Sequence, residues 1–454
     1  MANKDLRSFL ELAGRHGEAV RVSRPVDPDF GATAILAKLE KENRYPVVLF
    51  DQVGESKYPV VSNVFASRKR LALALGCEEK NLNAFYRERE DGRIQPVMVD
   101  DGPVHEVVLT GDDVDLYTLP ILRHNELDAG PYITCGASVT RDMDTGIRNI
   151  GVYRHQLHGR NKLGIHMAET SHVNYIFGKY AAKGIKMPIS VTIGHHPAFY
   201  LGCLSFVPLG VDEYGVAGAL MGEPLELVQC VTNDLQVPAY AEIVLEGYID
   251  PGELKTEAPF GEFTTCYGGP HPYQVITVTA VTMRKNPIYQ DCFSGHLDHQ
   301  LMGGTGRLSV IYKTARLACP TVKDVFMAPS GCCRLTCYVS IKKRHEGEAK
   351  NVIGAVIASD PFIKYVVVVD DDVDIYSDSA ILQAIATRLK PDQDAFMIRN
   401  AKGHPLDPCA YNGYVVTKIG IDCTKPLKDF PQTVRVPGAD EIVLENILEP
   451  YSGR

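Results

Sequence analysis

Apolar residues fall along the chain in two rhythms. Near the N-terminus the rhythm is helical. In Asp5–Arg15 the apolar positions Leu6, Phe9, Leu10 and Leu12 recur at helical spacing, and Gly14 and Gly17 interrupt them. Residues 45–50 (YPVVLF) and 58–64 (YPVVSNV) read as short strands, and a helix begins at Ser67 and runs to Leu75. From Pro120 to Cys292 strand-like runs dominate, at 133–139, 150–155, 189–193, 241–245 and 274–281, with Gly and Pro between them. That spacing predicts a β-rich, barrel-like domain, with helices intruding near 174–182 and 215–221. Beyond Leu301 helix and strand alternate: helix 308–318, strand 336–341, helix 349–358, strand 364–369, helix 377–389. The strand KYVVVV at 364–369 is apolar at successive positions, as a strand covered on both faces requires. The fold class is α/β, in several packed domains without a low-complexity linker.

Composition narrows the class. The chain has 454 residues, a length that at roughly 150 per domain corresponds to about three domains. Its net charge of −9 argues against a nucleic-acid partner, because phosphate backbones need a dense Lys/Arg face. No apolar run is long enough for a membrane span. The first residues, Met1–Arg7, are charged and lack the apolar core of a signal peptide, so a cytoplasmic location is expected. The 12 cysteines are scattered and form no CxxC, which reads as reduced thiols rather than a disulfide framework or a zinc ribbon. No GxGxxG is present, so a dinucleotide site is not indicated.

Candidate chemistry lies in a few places. Glu257 and Glu262 flank the turn Ala258-Pro259-Phe260-Gly261. Side chains five apart on a flat strand face opposite ways, whereas a Pro-Phe-Gly bend can turn both carboxylates to one pocket. Paired carboxylates suit acid–base work, although a solvated turn carries the same pattern. Asn149–Arg154 (NIGVYR) is a strand whose Arg154 either faces solvent or sits beside the carboxylates. Asn149, His172 and Glu213 are ligand types that suit Mn2+ or Mg2+, at a spacing no local motif predicts. Asp370–Asp372 reads as the solvated end of a buried strand rather than a metal site. Residues 293–309 (FSGHLDHQLMGGTGRLS) read as a mobile glycine-rich loop. Its His296, His299 and Arg307 can serve a second carboxylate of a substrate or a plain connection.

Taken in order, NIGVYR (149–154), DEY (212–214), TNDLQVPA (232–239), AEIVLEG (241–247), EAPFGE (257–262), residues 365–372 and ATR (386–388) closely resemble the UbiD family of reversible decarboxylases, over residues 5–425. The resemblance implies an N-terminal α/β region over 1–110, a central split β-barrel that holds a flavin over 111–305, and a C-terminal α/β dimerisation domain over 306–454. It implies a carboxy-lyase that uses prenylated FMN, Mn2+ (or Mg2+) and K+, with a flavin prenyltransferase as cofactor supplier. It also implies a homodimer that can build up to a hexamer. Metal ligands fall on Asn149, His172 and Glu213. Cofactor contacts fall on Asn149, Ile150, Val152, Tyr153, Arg154, His166, Met167, His172, Pro208, Glu213 and Lys364. The K+ vicinity falls on Arg388 and Asp422, and the catalytic trio on Arg154, Glu257 and Glu262. The substrate that the resemblance implies is a small aromatic, heteroaromatic or α,β-unsaturated acid that loses CO2. The furan-2,5-dicarboxylate branch, with His296 and Arg307 on the second carboxylate, stands ahead of phenolic or pyrrole carboxylates. A flavin oxidoreductase and a non-catalytic companion subunit are the competing classes.

Overall fold

The structure is a computed structural model that describes residues 4–434, 436–444 and 447–448. Met1–Asn3, part of the charged N-terminal stretch, lie outside the described residues. The N-terminal unit runs α1 (Leu6–Arg15), β1 (Ala19–Val22), α2 (Gly31–Lys41), β2 (Val47–Phe50), β3 (Val60–Ser62), α3 (Arg68–Leu75) and α4 (Leu82–Asp91). Asp5 caps α1 by accepting the Ser8 amide, and Ser8 returns the bond to the Asp5 amide. Gly14 does not interrupt α1, which runs one residue past it. The helix ends before Gly17, whose φ of +70° lies in the left-handed region that glycine adopts freely.

The central unit follows with β4 (Val97–Met98), β5 (Val107–Thr110), β6 (Tyr132–Arg141), β7 (Arg148–Gly159), β8 (Lys162–Ile165), α5 (His172–Ala182), β9 (Met187–Ile193), α6 (Pro197–Cys203), α7 (Glu213–Met221), β10 (Glu226–Gln229), β11 (Gln236–Pro238), β12 (Ile243–Glu257), β13 (Phe260–Gly261), β14 (Tyr267–Gly268), β15 (His271–Met283) and β16 (Tyr289–Gln290). Six antiparallel strands close a barrel in the order β12-β9-β6-β7-β8-β15, with the β15–β12 pairing completing the ring. Strand β5 adds outside β15, and β16 crosses back to pair with β3 of the N-terminal sheet. On β12, Ile243 and Leu245 join one apolar cluster and Val244 the other, the two-residue alternation of a strand packed on both sides. One cluster ties the barrel to Val48 and Phe50, and the second ties it to α3, α6 and α7 through Leu71, Phe199 and Val216.

Helices α8 (Leu297–Thr305) and α9 (Arg307–Ala318) lead into β17 (Val322–Phe326), β18 (Thr336–Ile341), α10 (Glu348–Ser359), β19 (Tyr365–Asp370), α11 (Asp378–Arg388), β20 (Ala395–Lys402) and β21 (Val415–Cys423). The sheet order is β17-β18-β19-β21-β20, parallel in the middle and antiparallel at both edges. Val366 and Val368 pack with α9 and α10, and Val367 and Val369 with Ile381 and Ala384 of α11. The apolar run at 364–369 is thus covered on both faces, as its sequence predicts. No helix among the described residues is long and apolar enough to cross a membrane. All twelve cysteines are unpaired.

Candidate active site

The acidic turn is the pivot. Strand β12 ends at Glu257, and the chain bends at Ala258, where φ is +74°, ahead of a cis bond to Pro259. Asp128 holds the bend from behind. One of its oxygens accepts the Gly261 amide at 2.8 Å and the other the Asn125 amide at 2.8 Å. The Glu262 amide then donates to the Cys266 carbonyl at 2.9 Å. The Asn125 side chain lies so close under Gly261 that a Cβ there would sit 2.3 Å from its Nδ2, so any larger residue would push Asn125 aside. The bend turns Glu257 and Glu262 to the same side, and both are buried.

Arg154, on β7, sits between them. Its Nε and Nη2 donate to the two oxygens of Glu257 at 2.8 and 2.9 Å, a bidentate pair, while Nη1 donates to Glu262. Nη2 also contacts His166 Nδ1 at 2.7 Å, and the guanidinium lies 4.7 Å from the Phe260 ring centroid. The His166 ring packs at a tilt against Tyr273, centroids 4.5 Å apart, and the Tyr132 hydroxyl accepts the Ala258 amide at 3.2 Å. Burial opposes ionisation of Glu257, but hydrogen bonds from His166 and Arg154 outweigh it and hold its carboxyl at about 2. Burial also disfavours charge on Arg154, yet Glu262 and Glu257 reverse this and raise its pKa, so the guanidinium stays charged. Burial raises the Tyr132 phenol further from titration. The two glutamates are therefore unequal. Glu257 is locked as a carboxylate by two guanidinium bonds, and Glu262 shares only one.

The second group of expected residues lies further along β7. The Glu213 carboxylate, at the start of α7, accepts the Asn149 side-chain amide at 3.1 Å and the Ile150 amide at 2.9 Å. It has no cationic partner among the described residues, and burial pushes it up to about 8. Its neighbour Asp212 instead pairs with Arg148. A buried carboxylate without a counter-charge, beside an amide oxygen, is a donor set that a divalent cation would complete. His172 opens α5, and burial lowers its imidazole, which leaves the neutral form a metal needs. No hydrogen bond joins His172 to Asn149 or Glu213 among the described residues. No three His, Cys, Asp or Glu side chains converge there either, and the Asn149 set contains only two of those types. A cavity of about 440 Å³ opens beside the set, lined by Arg93, Arg141, Arg148 and Asp212.

Other expected residues fall as follows. Ile150 and Met167 are buried, Val152 and Tyr153 half-buried, and Pro208 exposed. Lys364 pairs with Asp407 in the C-terminal unit. Arg388, at the end of α11, pairs with Asp370 and Asp372, and Asp422, on β21, accepts the Thr424 amide, so both lie in the C-terminal unit. Lys425 also pairs with Asp372, while Asp371 and Asp372 stay exposed, so the aspartate run is the solvated end of its strand, as expected, with ion pairs on Asp370 and Asp372. The segment 293–309 is not a mobile loop. It forms α8 and the start of α9, and its glycines serve close packing, since a Cβ on Gly304 would lie 2.8 Å from that of Cys333. His296 pairs with Glu40 and stacks on Phe293 at 3.8 Å, and Arg307 pairs with Asp360. Neither offers an uncompensated charge. Sequence reasoning missed Asp128, Tyr132 and Tyr273, and nothing in their local spacing marks them.

Known proteins share this fold. The family model for the 3-octaprenyl-4-hydroxybenzoate carboxy-lyase Rift-related domain matches residues 96–297, and its N- and C-terminal companions match 10–89 and 299–423. Anhydromevalonate phosphate decarboxylase of Methanothermobacter thermautotrophicus is 36% identical over 435 residues, covering 95% of this chain and 99% of that one. The UbiD-class enzyme HmfF from Pelotomaculum thermopropionicum, in complex with FMN, superposes with a TM-score of 0.93 at 38% identity, over 98% of this chain and 100% of that one. An evolved dimeric form of HmfF with prFMN gives 0.90 at 36% identity, over 98% and 100% of the two chains. Vanillic acid decarboxylase of Sedimentibacter hydroxybenzoicus gives 0.87 at 30% identity, over 96% and 97%. The chain belongs to the UbiD family and is a carboxy-lyase.

Proposed function

We propose that the chain catalyses reversible, non-oxidative decarboxylation of an aromatic, heteroaromatic or α,β-unsaturated acid with prenylated FMN as cofactor. The observation that carries this reading is the Glu257–Arg154–Glu262 triad at the middle of β7, with the Asn149–Glu213 pair near the start of the same strand. Asn149 and Arg154 lie five steps apart on one strand, at most about 17 Å, a span that an elongated ligand with an anionic end can bridge. A flavin mononucleotide has that form. Its phosphate would lie with a divalent cation at Asn149, His172 and Glu213, and Ile150, Val152, Tyr153, His166, Met167 and Pro208 would flank the rest. Mn2+ or Mg2+ suits these hard donors. K+ would lie in the vicinity of Arg388 and Asp422, beside the Asp370–Asp372 end of the C-terminal sheet.

Loss of CO2 from an sp2 carbon leaves an electron pair that no side chain here can hold. Bound prenylated FMN supplies that electron sink. The protein supplies the rest. Arg154 keeps Glu257 ionised and fixes the geometry of both acids. Glu262, held by one guanidinium bond, carries the proton to the carbon that CO2 leaves. Arg154 and the buried turn exclude water from that transfer. Changing Glu262→Gln in cofactor-loaded protein is expected to lower turnover about 100-fold or more, in the range of a general acid. Wild-type turnover in that variant refutes the assignment.

For the substrate, furan-2,5-dicarboxylate converted to 2-furoate is the leading proposal. A phosphorylated unsaturated acid, as in the Methanothermobacter relative, is the second, and phenolic or pyrrole monoacids follow. A flavin prenyltransferase would supply the cofactor, in the cytoplasm, a setting that the unpaired cysteines support. The working unit would be a homodimer or a higher assembly of dimers.

A further inference from the structure

Across Phe263 from Glu262 lies a cluster that the reaction as described does not use. Arg334 is buried, with 7% of its surface exposed, in the loop between β17 and β18. Its guanidinium lies 4.6 Å from the Phe263 centroid. Among the described residues it forms no salt bridge, and its Nη1 is buried without any hydrogen-bond partner. The site is built around it: a Cβ on Gly303 would lie 1.9 Å from Nη2, so α8 leaves a glycine-sized bed for the side chain.

Arg307 stands beside it, held between the rings of Phe206 and Phe362 at 4.4 and 4.7 Å. Asp360 takes one end of Arg307, while its Nε is buried and unpartnered. Asp360 is fully engaged, since its other oxygen accepts the Phe362 amide at 2.9 Å. Glu262, the other nearby carboxylate, is held by Arg154. The imidazoles that face this space add no counter-charge: burial and Arg334 hold His299 at about 3, and burial and Arg307 hold His404 at about 4. Two guanidinium groups thus converge on one side of the acidic turn with one free carboxylate's worth of compensation missing. Guanidinium keeps its charge at neutral pH and leaves water only at a high cost, so such a group is normally matched by an anion.

We propose that Arg334, with the free Nε edge of Arg307, receives a second anionic group of the substrate, a carboxylate or a phosphate monoester, at the end remote from the carboxylate that leaves. This deepens, and rests on, the decarboxylase reading. The phenylalanine rings would line the path between the two ends, which suits an unsaturated or aromatic spacer.

The test compares wild type, R334Q and R334K as cofactor-loaded enzymes on 2-furoate, furan-2,5-dicarboxylate and a phosphate monoester of an unsaturated hydroxy acid. Binding of the same three compounds is measured by calorimetry. Arg334→Gln is expected to weaken binding and raise KM for the dianionic probes by roughly 10- to 100-fold, with the monoacid within about threefold, in line with the loss of a charged hydrogen bond. Arg334→Lys is expected to recover part of the selectivity and serves if R334Q melts early. Whichever dianion loses more identifies the second group as carboxylate or phosphate. Equal loss on all probes, or no loss on any, overturns the proposal. Wild type that binds a dianion through Arg334 yet releases no CO2 from any probe sustains this site and instead defeats the decarboxylase reading.

Discussion

Replacing Glu257 with Gln removes a charge that no solvent touches. The side chain is fully buried and meets Arg154 through two bonds of 2.8 and 2.9 Å. Gln keeps the shape, but its amide faces Nη2 and His166 donor to donor. The carboxyl lies at about 2 against an ordinary value of 4.5, a difference worth about 3 kcal/mol by the usual conversion. That agrees with the roughly 3–5 kcal/mol seen when one partner of a buried pair is removed. The sign follows from the depressed value. Glu257 stabilises the fold fully above about pH 4.5, and the contribution fades as pH falls toward 2. The gap between wild type and E257Q should therefore be constant from pH 6 to 8. It should shrink by about 1 kcal/mol between pH 4.5 and 3.5. Urea unfolding of the cofactor-free proteins, followed by circular dichroism, reads both numbers. A gap that stays level or widens in acid, or is absent at pH 7, refutes the assignment of Glu257 as the locked carboxylate.

Arg154→Ala leaves two buried carboxylates facing each other, and is expected to abolish turnover and to cost more stability at pH 7 than at pH 4; equal cost at both would count against the pairing. Asp128→Ala should release the acidic turn through Gly261 and lower kcat without loss of the flavin spectrum, measured on loaded protein. Gly303→Ala should drive Arg334 from its bed and lower the unfolding midpoint by an overpacking cost of about 1–3 kcal/mol; an unchanged midpoint would show the bed to be loose. Chelation by EDTA, or Glu213→Gln, should release flavin and bound metal together, followed by absorbance and elemental analysis; metal loss with flavin fully retained would detach the two.

Where a segment buries one stripe or one pair of faces, its rhythm was readable. Helix α9 and the valine strand β19 lie where their apolar spacing places them. Helix α6 escaped notice because all its residues, Pro197–Cys203, are buried, and an apolar run without a polar face has no period. Helix α8 reads as a loop in the sequence because Gly303-Gly304 looks like a break. The glycines are there for Arg334 and Cys333, which the local sequence does not announce. The glutamates of the turn carried a weak signal alone. What made them a site is Arg154, 103 and 108 residues away, and that pairing exists only once β7 and β12 join the same barrel. His296 and Arg307 had the right chemistry for an anion, but Glu40 and Asp360 hold them, and the uncompensated charge lies on Arg334, for which no spacing gave a sign.

The most direct measurement is made on protein co-expressed with a flavin prenyltransferase, purified under exclusion of air and then briefly oxidised. Its ultraviolet–visible spectrum is recorded, and CO2 release is followed over a panel of aromatic and unsaturated acids with wild type and Glu262→Gln. The expected result is a flavin spectrum in both proteins and CO2 release that falls about 100-fold or more in the variant. A chain that never acquires a flavin spectrum, or that carries one and releases CO2 equally well without the Glu262 carboxyl, contradicts the proposed chemistry.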